Sequence, residues 1–159
     1  MIKQKEIEEL FRFADRDERF GVALRGALSQ IRLKFYLESL GLDVEENQSD
    51  NTGGPDYIVN GETLEHKRAR SQKYADGSIK AEFQKSRGKV PQRLYDDDFS
   101  DFVSVDISHH TGKENDFRFN KTNQLKNHTV HNGKISALQK VDKHWTSDIK
   151  LLLKNKGGE

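Results

Sequence analysis

Apolar residues at helical spacing open the chain. From Ile2 to Phe13 they recur every three or four positions, which predicts a short amphipathic helix. A longer run from Val22 to Leu40 keeps the same spacing, and Gly41 follows it directly. Because glycine readily adopts the left-handed conformation that ends many helices, Gly41 is the predicted stop. The chain therefore begins with two predicted helices, of which the second has the stronger pattern.

The next segments have the patterns of strands joined by a tight turn. LDVEE at 42–46 predicts a short strand, and PDYIV at 55–59 predicts a second strand that begins at a proline. Asn60 and Gly61 both accept positive φ, which a two-residue type I′ turn requires. TLEHKRA at 63–69 is therefore predicted to be the returning strand of a hairpin.

The second half of the chain is more polar. KAEFQKSRGK at 80–89 is predicted to be a basic helix, and the alternating DFVSVDIS at 101–108 to be a strand. DFRF at 116–119 predicts only a brief strand, and KHWTSDIKLLLKN at 143–155 a terminal amphipathic helix. This order of elements indicates an α/β fold with a mixed β-sheet flanked by helices.

Composition narrows the classes of protein. A length of 159 residues predicts one domain, and the net charge of +1 gives no overall field that attracts nucleic acid. The absence of cysteine excludes disulfides and cysteine-ligated zinc. The first ten residues are too charged for a secretory signal, and no segment has the composition of a membrane span. We expect a soluble cytoplasmic protein with no membrane partner and no small-molecule cofactor.

The hairpin carries the candidate chemistry. A two-residue turn places Asp56 opposite Glu65, with about 4.5–5.5 Å between Cβ atoms, and Lys67 lies on the same face. Two carboxylates at that distance repel unless a cation lies between them, and hard oxygen ligands suit Mg²⁺ or Mn²⁺. Such an ion beside a lysine can polarise a phosphoryl oxygen and lower the pKa of a bound water. The pattern predicts phosphodiester hydrolysis; the alternative is an exposed cross-strand ladder of charges.

These residues resemble a known motif. Pro55-Asp56, eight further residues and then Glu65-His66-Lys67 are similar to the signature of the PD-(D/E)XK nucleases. The predicted order of helix, strand, hairpin, helix and strand also matches the core of that family. The resemblance implies a restriction-endonuclease-like fold.

The resemblance also implies roles for individual residues. Asp56 and Glu65 would hold Mg²⁺, for which Mn²⁺ substitutes, together with the main-chain carbonyl of His66. Lys67 would position or activate the attacking water. Many family members carry a glutamate on the first helix where this chain has Gln30. A neutral oxygen ligand there is expected to weaken a second metal site.

A local basic tract follows the motif and suits a phosphate backbone. Its members are Arg68, Arg70, Lys73, Lys80, Lys85, Arg87, Lys89 and Arg93. Gln84, His109 and His110 are further candidates for contact with DNA. The alternative for the tract is a solvated helix face.

A rival interpretation uses the histidines. His110, Asn123 and His131 roughly fit the spacing of an HNH nuclease, with 106–110 as a strand and 122–134 as a helix. The pattern is weak, because such sites rely on a compact hairpin and often on a zinc knuckle built from cysteines.

The resemblance implies a single nuclease domain over residues 1–159, with its core at about 22–108 and recognition loops at 109–134. The expected function is that of a type II restriction endonuclease that binds double-stranded DNA as a homodimer. A Holliday-junction resolvase or another structure-selective nuclease is the first alternative, since fold indicates chemistry better than substrate. A catalytically inactive DNA-binding module is the second.

Overall fold

The computed structural model describes residues 1–47, 54–85 and 88–154. Its main helices are α1 (Gln4–Arg16), α2 (Glu18–Ser39) and α3 (Ser108–Thr111). The strands are β1 (Val44–Glu46), β2 (Tyr57–Val59), β3 (Glu62–Arg68), β4 (Ile79–Glu82), β5 (Phe102–Asp106), β6 (Phe117–Lys121) and β7 (Leu138–Val141). Within the described residues, no helix is long and apolar enough to cross a membrane.

The described strands form a mixed sheet of five strands, in the order β1-β2-β3-β5-β6, and a separate antiparallel pair, β4-β7. In the large sheet only β3 and β5 run parallel, with Glu65 beside Val103 and Lys67 beside Val105. One face of this sheet packs on α2 and the other on the β4-β7 pair, each over its own apolar cluster. Because side chains alternate along a strand, consecutive residues of β3 face opposite layers.

Both helices predicted at the start of the chain are confirmed, as α1 and α2. The Asp17 carboxylate accepts a hydrogen bond from the Phe20 amide (2.9 Å) and begins α2, and Gly41 has φ +81° just after its end. On α1, however, only Ala14 is buried, and Leu10 and Phe11 stay 42% and 45% exposed. The amphipathic pattern therefore predicted the helix correctly, while most of its apolar face is left uncovered.

The hairpin is also confirmed. Asn60 and Gly61 have φ of 48° and 84°, as a type I′ turn requires, and Val59 pairs with Glu62 on either side of it. Tyr57 pairs with Leu64, so Asp56 lies level with Glu65 one step further out. The predicted strands 42–46 and 101–108 appear as β1 and β5.

The predicted basic helix at 80–89 is wrong. The segment begins as β4, and its inward residues Ala81 and Phe83 alternate with partly exposed ones. β4 pairs with β7, a strand that the sequence pattern did not reveal, and the Phe83 amide donates to the Ala137 carbonyl (2.7 Å). Pairing with this distant strand outweighs the local preference for a helix.

The predicted terminal helix at 143–155 is wrong as well. Its described part contains only a 3₁₀ turn at Ile149–Leu151. Trp145 belongs to the apolar cluster on the β4-β7 side and Ile149 to the cluster beneath α2. The chain at Thr146 also forms a bridge with Phe119 of β6. The apolar residues of an amphipathic helix lie along one side of it, so they cannot pack into two clusters on opposite faces of a sheet.

The brief strand predicted at 116–119 is present as β6, at the edge of the large sheet, so residues beyond 108 also build the core. Its register overturns the HNH interpretation. Asp106 pairs with Phe117 and Phe102 with Lys121, so His110 and Asn123 lie beyond opposite ends of β5. A strand of this length separates them by at least about 13 Å. The segment of His110 is helical, and after a 3₁₀ turn at Thr122–Gln124 no helix continues through 125–134.

Candidate active site

Two carboxyl groups and one ammonium group converge where β2 begins and β3 ends. Glu65 is buried, and its Oε2 lies 3.3 Å from Nζ of Lys67. Asp56 is half-buried, and its Oδ2 accepts a hydrogen bond from the His66 amide (2.9 Å). The hairpin register therefore brings Asp56, Glu65 and Lys67 together, as the sequence predicted.

Burial disturbs the ionisation of both acids, and the charge of Asp56 also acts on Glu65. Burial raises the pKa of Glu65 to about 7, and the charge of Asp56 adds to the effect, against the opposing influence of Lys67. Burial also raises the pKa of Asp56, although its hydrogen bond with His66 and the charge of Lys67 oppose the shift. A single lysine thus leaves the two acids incompletely compensated.

A tyrosine from a loop completes the enclosure. The Tyr95 hydroxyl donates to Oε2 of Glu65 (2.9 Å), and the Tyr95 ring stacks on Phe99 at 4.2 Å between centroids. Nζ of Lys67 lies 5.7 Å from the centroid of the same ring, so the ring helps to hold the ammonium group beside Glu65. Burial and the charge of Glu65 raise the pKa of Tyr95, which keeps its hydroxyl a donor.

Gln30 reaches the site from α2. Its Nε2 lies 3.4 Å from Oδ1 of Asp56, and its main-chain carbonyl accepts a hydrogen bond from the Tyr57 hydroxyl (2.8 Å). The side-chain amide of Gln30 therefore lies beside Asp56, at the position on the first long helix that the resemblance implied.

The opposite face of β3 carries a second polar cluster. The His66 ring lies within hydrogen-bonding distance of Ser29 through Nε2 (2.7 Å) and of Ser104 through Nδ1 (2.7 Å). The Ser29 hydroxyl also donates to Oδ2 of Asp106 (2.6 Å). Burial lowers the pKa of His66 to about 4, so its ring is neutral at physiological pH. This network ties α2 to β3 and β5 directly behind the acidic site.

The donor set of the site suits a hard divalent cation. Oxygen ligands from Asp56 and Glu65 favour Mg²⁺ or Mn²⁺, and a cation between them would stabilise both acids in their charged form, which burial disfavours. Among the described residues, no group of three or more His, Cys, Asp and Glu side chains forms a metal cage. The two carboxylates therefore need additional oxygens, which main-chain carbonyls, Gln30 and water can supply.

The predicted DNA-contacting residues do not form one helix face. Arg70 pairs with Glu82 (3.0 Å), Lys80 lies over the Tyr74 ring, and Arg93 donates through Nε to the Lys85 carbonyl (3.0 Å).

Others of these candidates are dispersed over strand ends and loops. Gln84 lies in a bridge with Leu94, not on a helix, while Lys73 and Lys89 are exposed. Arg87 lies outside the described residues.

Arg68, His109 and His110 lie in one region, at the carboxyl ends of β3 and β5. His110 Nε2 lies 2.7 Å from the Arg70 carbonyl, and burial together with the positive charge of Arg68 lowers the pKa of His109.

Sequence reasoning did not identify Tyr95, Ser29 or the partners of the His66 ring. The polar residues Ser104 and Asp106 alternate with Val103 and Val105 in the sequence, a pattern that also describes a solvent-facing strand face. The sequence pattern therefore did not indicate that they are buried under α2. Tyr95 lies in a polar loop with no periodic pattern.

No protein-family model matches the chain, and no curated protein matches it. A solved structure of a bacterial homing endonuclease, I-Ssp6803I, is similar, with a TM-score of 0.49 and 14% identity over 64% of this chain and 69% of that chain. At this overlap and identity, the likeness gives no correspondence between individual residues.

Proposed function

We propose that this protein is a divalent-metal-dependent DNA endonuclease with a PD-(D/E)XK site. The observation that carries the proposal is the pairing of half-buried Asp56 with buried Glu65 beside Lys67, in surroundings that raise the pKa of both acids. A purely structural cluster gains nothing from two incompletely neutralised carboxyl groups, whereas a cation site requires them.

The residues of the chain divide the work of hydrolysis. Asp56 and Glu65 hold the cation, which when bound supplies Lewis-acid stabilisation of the phosphate. Lys67 donates hydrogen bonds to the attacking water or to a phosphate oxygen and stabilises the negative charge of the transition state. Tyr95 holds the Glu65 carboxylate in one orientation. Water forms the new bond to phosphorus, the bond to the leaving sugar oxygen breaks, and the proton is transferred to that oxygen.

Duplex DNA is the proposed substrate, cut at a specific sequence by a homodimer as in type II restriction. Supporting this, the segment after β6 exposes polar side chains that can donate to and accept from base edges, among them Asn123, Gln124, Lys126 and Asn127. A homodimer provides two sites related by symmetry, one for each strand.

Cleavage of supercoiled plasmid and of a four-way junction, each with Mg²⁺ or with EDTA, tests the proposal. Discrete plasmid fragments that require Mg²⁺ and disappear in Asp56→Ala are the expected result. Cleavage of the junction alone favours a structure-selective nuclease. Absence of metal-dependent cleavage of both substrates contradicts an active nuclease and leaves the DNA-binding module.

A further inference from the structure

A basic pocket lies on the side of the sheet opposite Glu65 and Lys67. It has a volume of about 580 Å³, and its lining includes Arg32 of α2, Arg68 of β3, His109 and Lys113. We propose that this pocket binds phosphates of the DNA backbone next to the catalytic site. The proposal rests on the proposed function and adds a second contact surface to it.

The arginines of this region repel one another. Burial and the nearby charge of Arg25 both lower the pKa of Arg68, against the opposing charge of Asp106. Arg25 and Arg32 are seven residues apart on α2, which places them on one side of the helix, on either side of Ser29. Arg32 lines the pocket together with Arg68, and the charge of Arg25 acts on Arg68 from beside the pocket. Such a like-charge group is stabilised by an anion between its members.

The acid whose charge acts on Arg68 already accepts hydrogen bonds from other groups. Asp106 also lines the pocket, but its Oδ2 accepts from the Ser29 hydroxyl (2.6 Å) and its Oδ1 from the Ser108 amide (2.9 Å). The remaining acid of the lining, Glu114, is exposed.

Some other arginines among the described residues form ion pairs. Arg12 pairs with Glu9, and Arg70 with Glu82. Within the described part of the chain, Arg25, Arg32 and Arg68 form no such ion pair.

The arrangement of charge matches a polymer better than a single small anion. Seven residues of α-helix extend about 10 Å, so Arg25 and Arg32 form a line of charge longer than one phosphate group. Duplex DNA carries one negative charge per roughly 1.7 Å of axis and can neutralise the whole line.

The pocket is also placed to share one duplex with the catalytic site. Lys67 and Arg68 are consecutive at the end of β3 and face opposite sides of the sheet. A duplex across this end of the sheet therefore contacts Lys67 on one side and the arginines on the other.

Salt-dependent DNA binding tests the proposal. All proteins carry Asp56→Asn, so that the duplex stays intact, and dissociation constants are measured by fluorescence anisotropy over a range of KCl concentrations. Arg32→Gln should weaken binding about 5- to 10-fold and lower the slope of log K against log salt by about one. Arg32→Lys should keep the slope, because it keeps the charge. Arg68→Gln should act as Arg32→Gln does.

The matched control is Arg12→Gln, which removes an exposed arginine that is already paired with Glu9. Binding curves of Arg32→Gln and Arg12→Gln that superimpose overturn the proposal, as does a failure of the Asp56→Asn protein to bind duplex DNA. The plasmid assay is independent of these curves. If the protein does not cleave but Arg32→Gln still weakens DNA binding, the nuclease is refuted and the phosphate site is not. If the protein cleaves but Arg32→Gln binds DNA as the control does, the phosphate site is refuted and the nuclease is not.

Discussion

The two faces of β3 carry polar clusters of opposite character. Towards α2, the His66 ring has a partner on each nitrogen, and the described residues of that network leave no buried side-chain atom without a partner. On the other face, Asp56 and Glu65 confront each other with Lys67 as the nearby cation, and the pKa of both acids is raised. Neighbouring residues of one strand thus belong to a satisfied network and to an electrostatically unfavourable one. Unfavourable electrostatics that the fold maintains indicate the functional face.

The largest expected contrast is in catalysis. Lys67→Ala should lower the cleavage rate by at least about 10²- to 10³-fold, because it removes the ammonium group that stabilises transition-state charge. Asp56→Ala should abolish cleavage through the loss of a cation ligand. Ser104→Ala, on the opposite face, should keep a rate close to that of wild type. Single-turnover plasmid cleavage measures all three, and wild-type turnover in Lys67→Ala would refute the assignment of the site.

In metal-free protein, Glu65 and His66 on the two faces of β3 should change the free energy of unfolding in opposite directions as pH rises. The pKa of Glu65 is raised from 4.5 to about 7, so the folded state binds the extra proton and its stability falls as pH rises through this interval. The pKa of His66 is lowered from 6.5 to about 4, so the unfolded state binds the extra proton and stability rises with pH over an overlapping interval. Each contribution amounts to about 3 kcal/mol, and in wild type they largely cancel.

Single variants should reveal how each of the two groups makes the free energy of unfolding depend on pH. Glu65→Gln should give a free energy of unfolding that rises from pH 4 to 6.5 more steeply than in wild type, and His66→Gln one that falls from pH 4.5 to 7. Urea denaturation in EDTA at several pH values measures both. Parallel pH profiles for the two variants would show that the faces do not differ in this way.

The satisfied network should matter mainly for stability. Ser29→Ala removes the hydroxyl shared by His66 and Asp106, leaves both without that partner, and should cost about 1–3 kcal/mol of unfolding free energy. Ser39→Ala is the matched control on the same helix, since its hydroxyl is exposed and bonds only the Tyr36 carbonyl; we expect a change within about 0.5 kcal/mol. Equal losses in the two variants would contradict a special role for the network.

The smallest expected effect concerns Gln30, which joins the two faces because it follows Ser29 and contacts Asp56. Gln30→Glu adds a carboxylate beside Asp56 and should shift half-maximal cleavage to a several-fold lower Mg²⁺ concentration, since a negative oxygen ligand strengthens binding of hard cations. Metal titration of cleavage, with the exposed Gln4→Glu of α1 as control, measures the shift. If both titrations follow wild type, Gln30 does not take part in cation binding.

Much of the site was predictable because its geometry is local. The apolar spacing of residues 22–40 predicts α2, and Asn60-Gly61 predicts a two-residue turn from conformational preference alone. A turn of that length determines the cross-strand register, and the register places Asp56 level with Glu65 and Lys67 on the same face. Few residues separate these groups in the chain, so local rules were sufficient.

The tertiary structure decided what depends on distant partners. Residues Ile79–Glu82 join a strand pair because Ala81 meets Gln139 of β7, against a local pattern that predicted a helix. Tyr95 reaches Glu65 from 30 positions away, and Ser29 reaches Asp106 across 77. Alternating polarity cannot tell a solvent-facing strand face from one that buries Ser104 and Asp106 under a helix. The sequence by itself determined the β2-β3 hairpin, whereas packing of distant segments determined its enclosure, its supporting network and the basic pocket, because burial is a property of the whole fold.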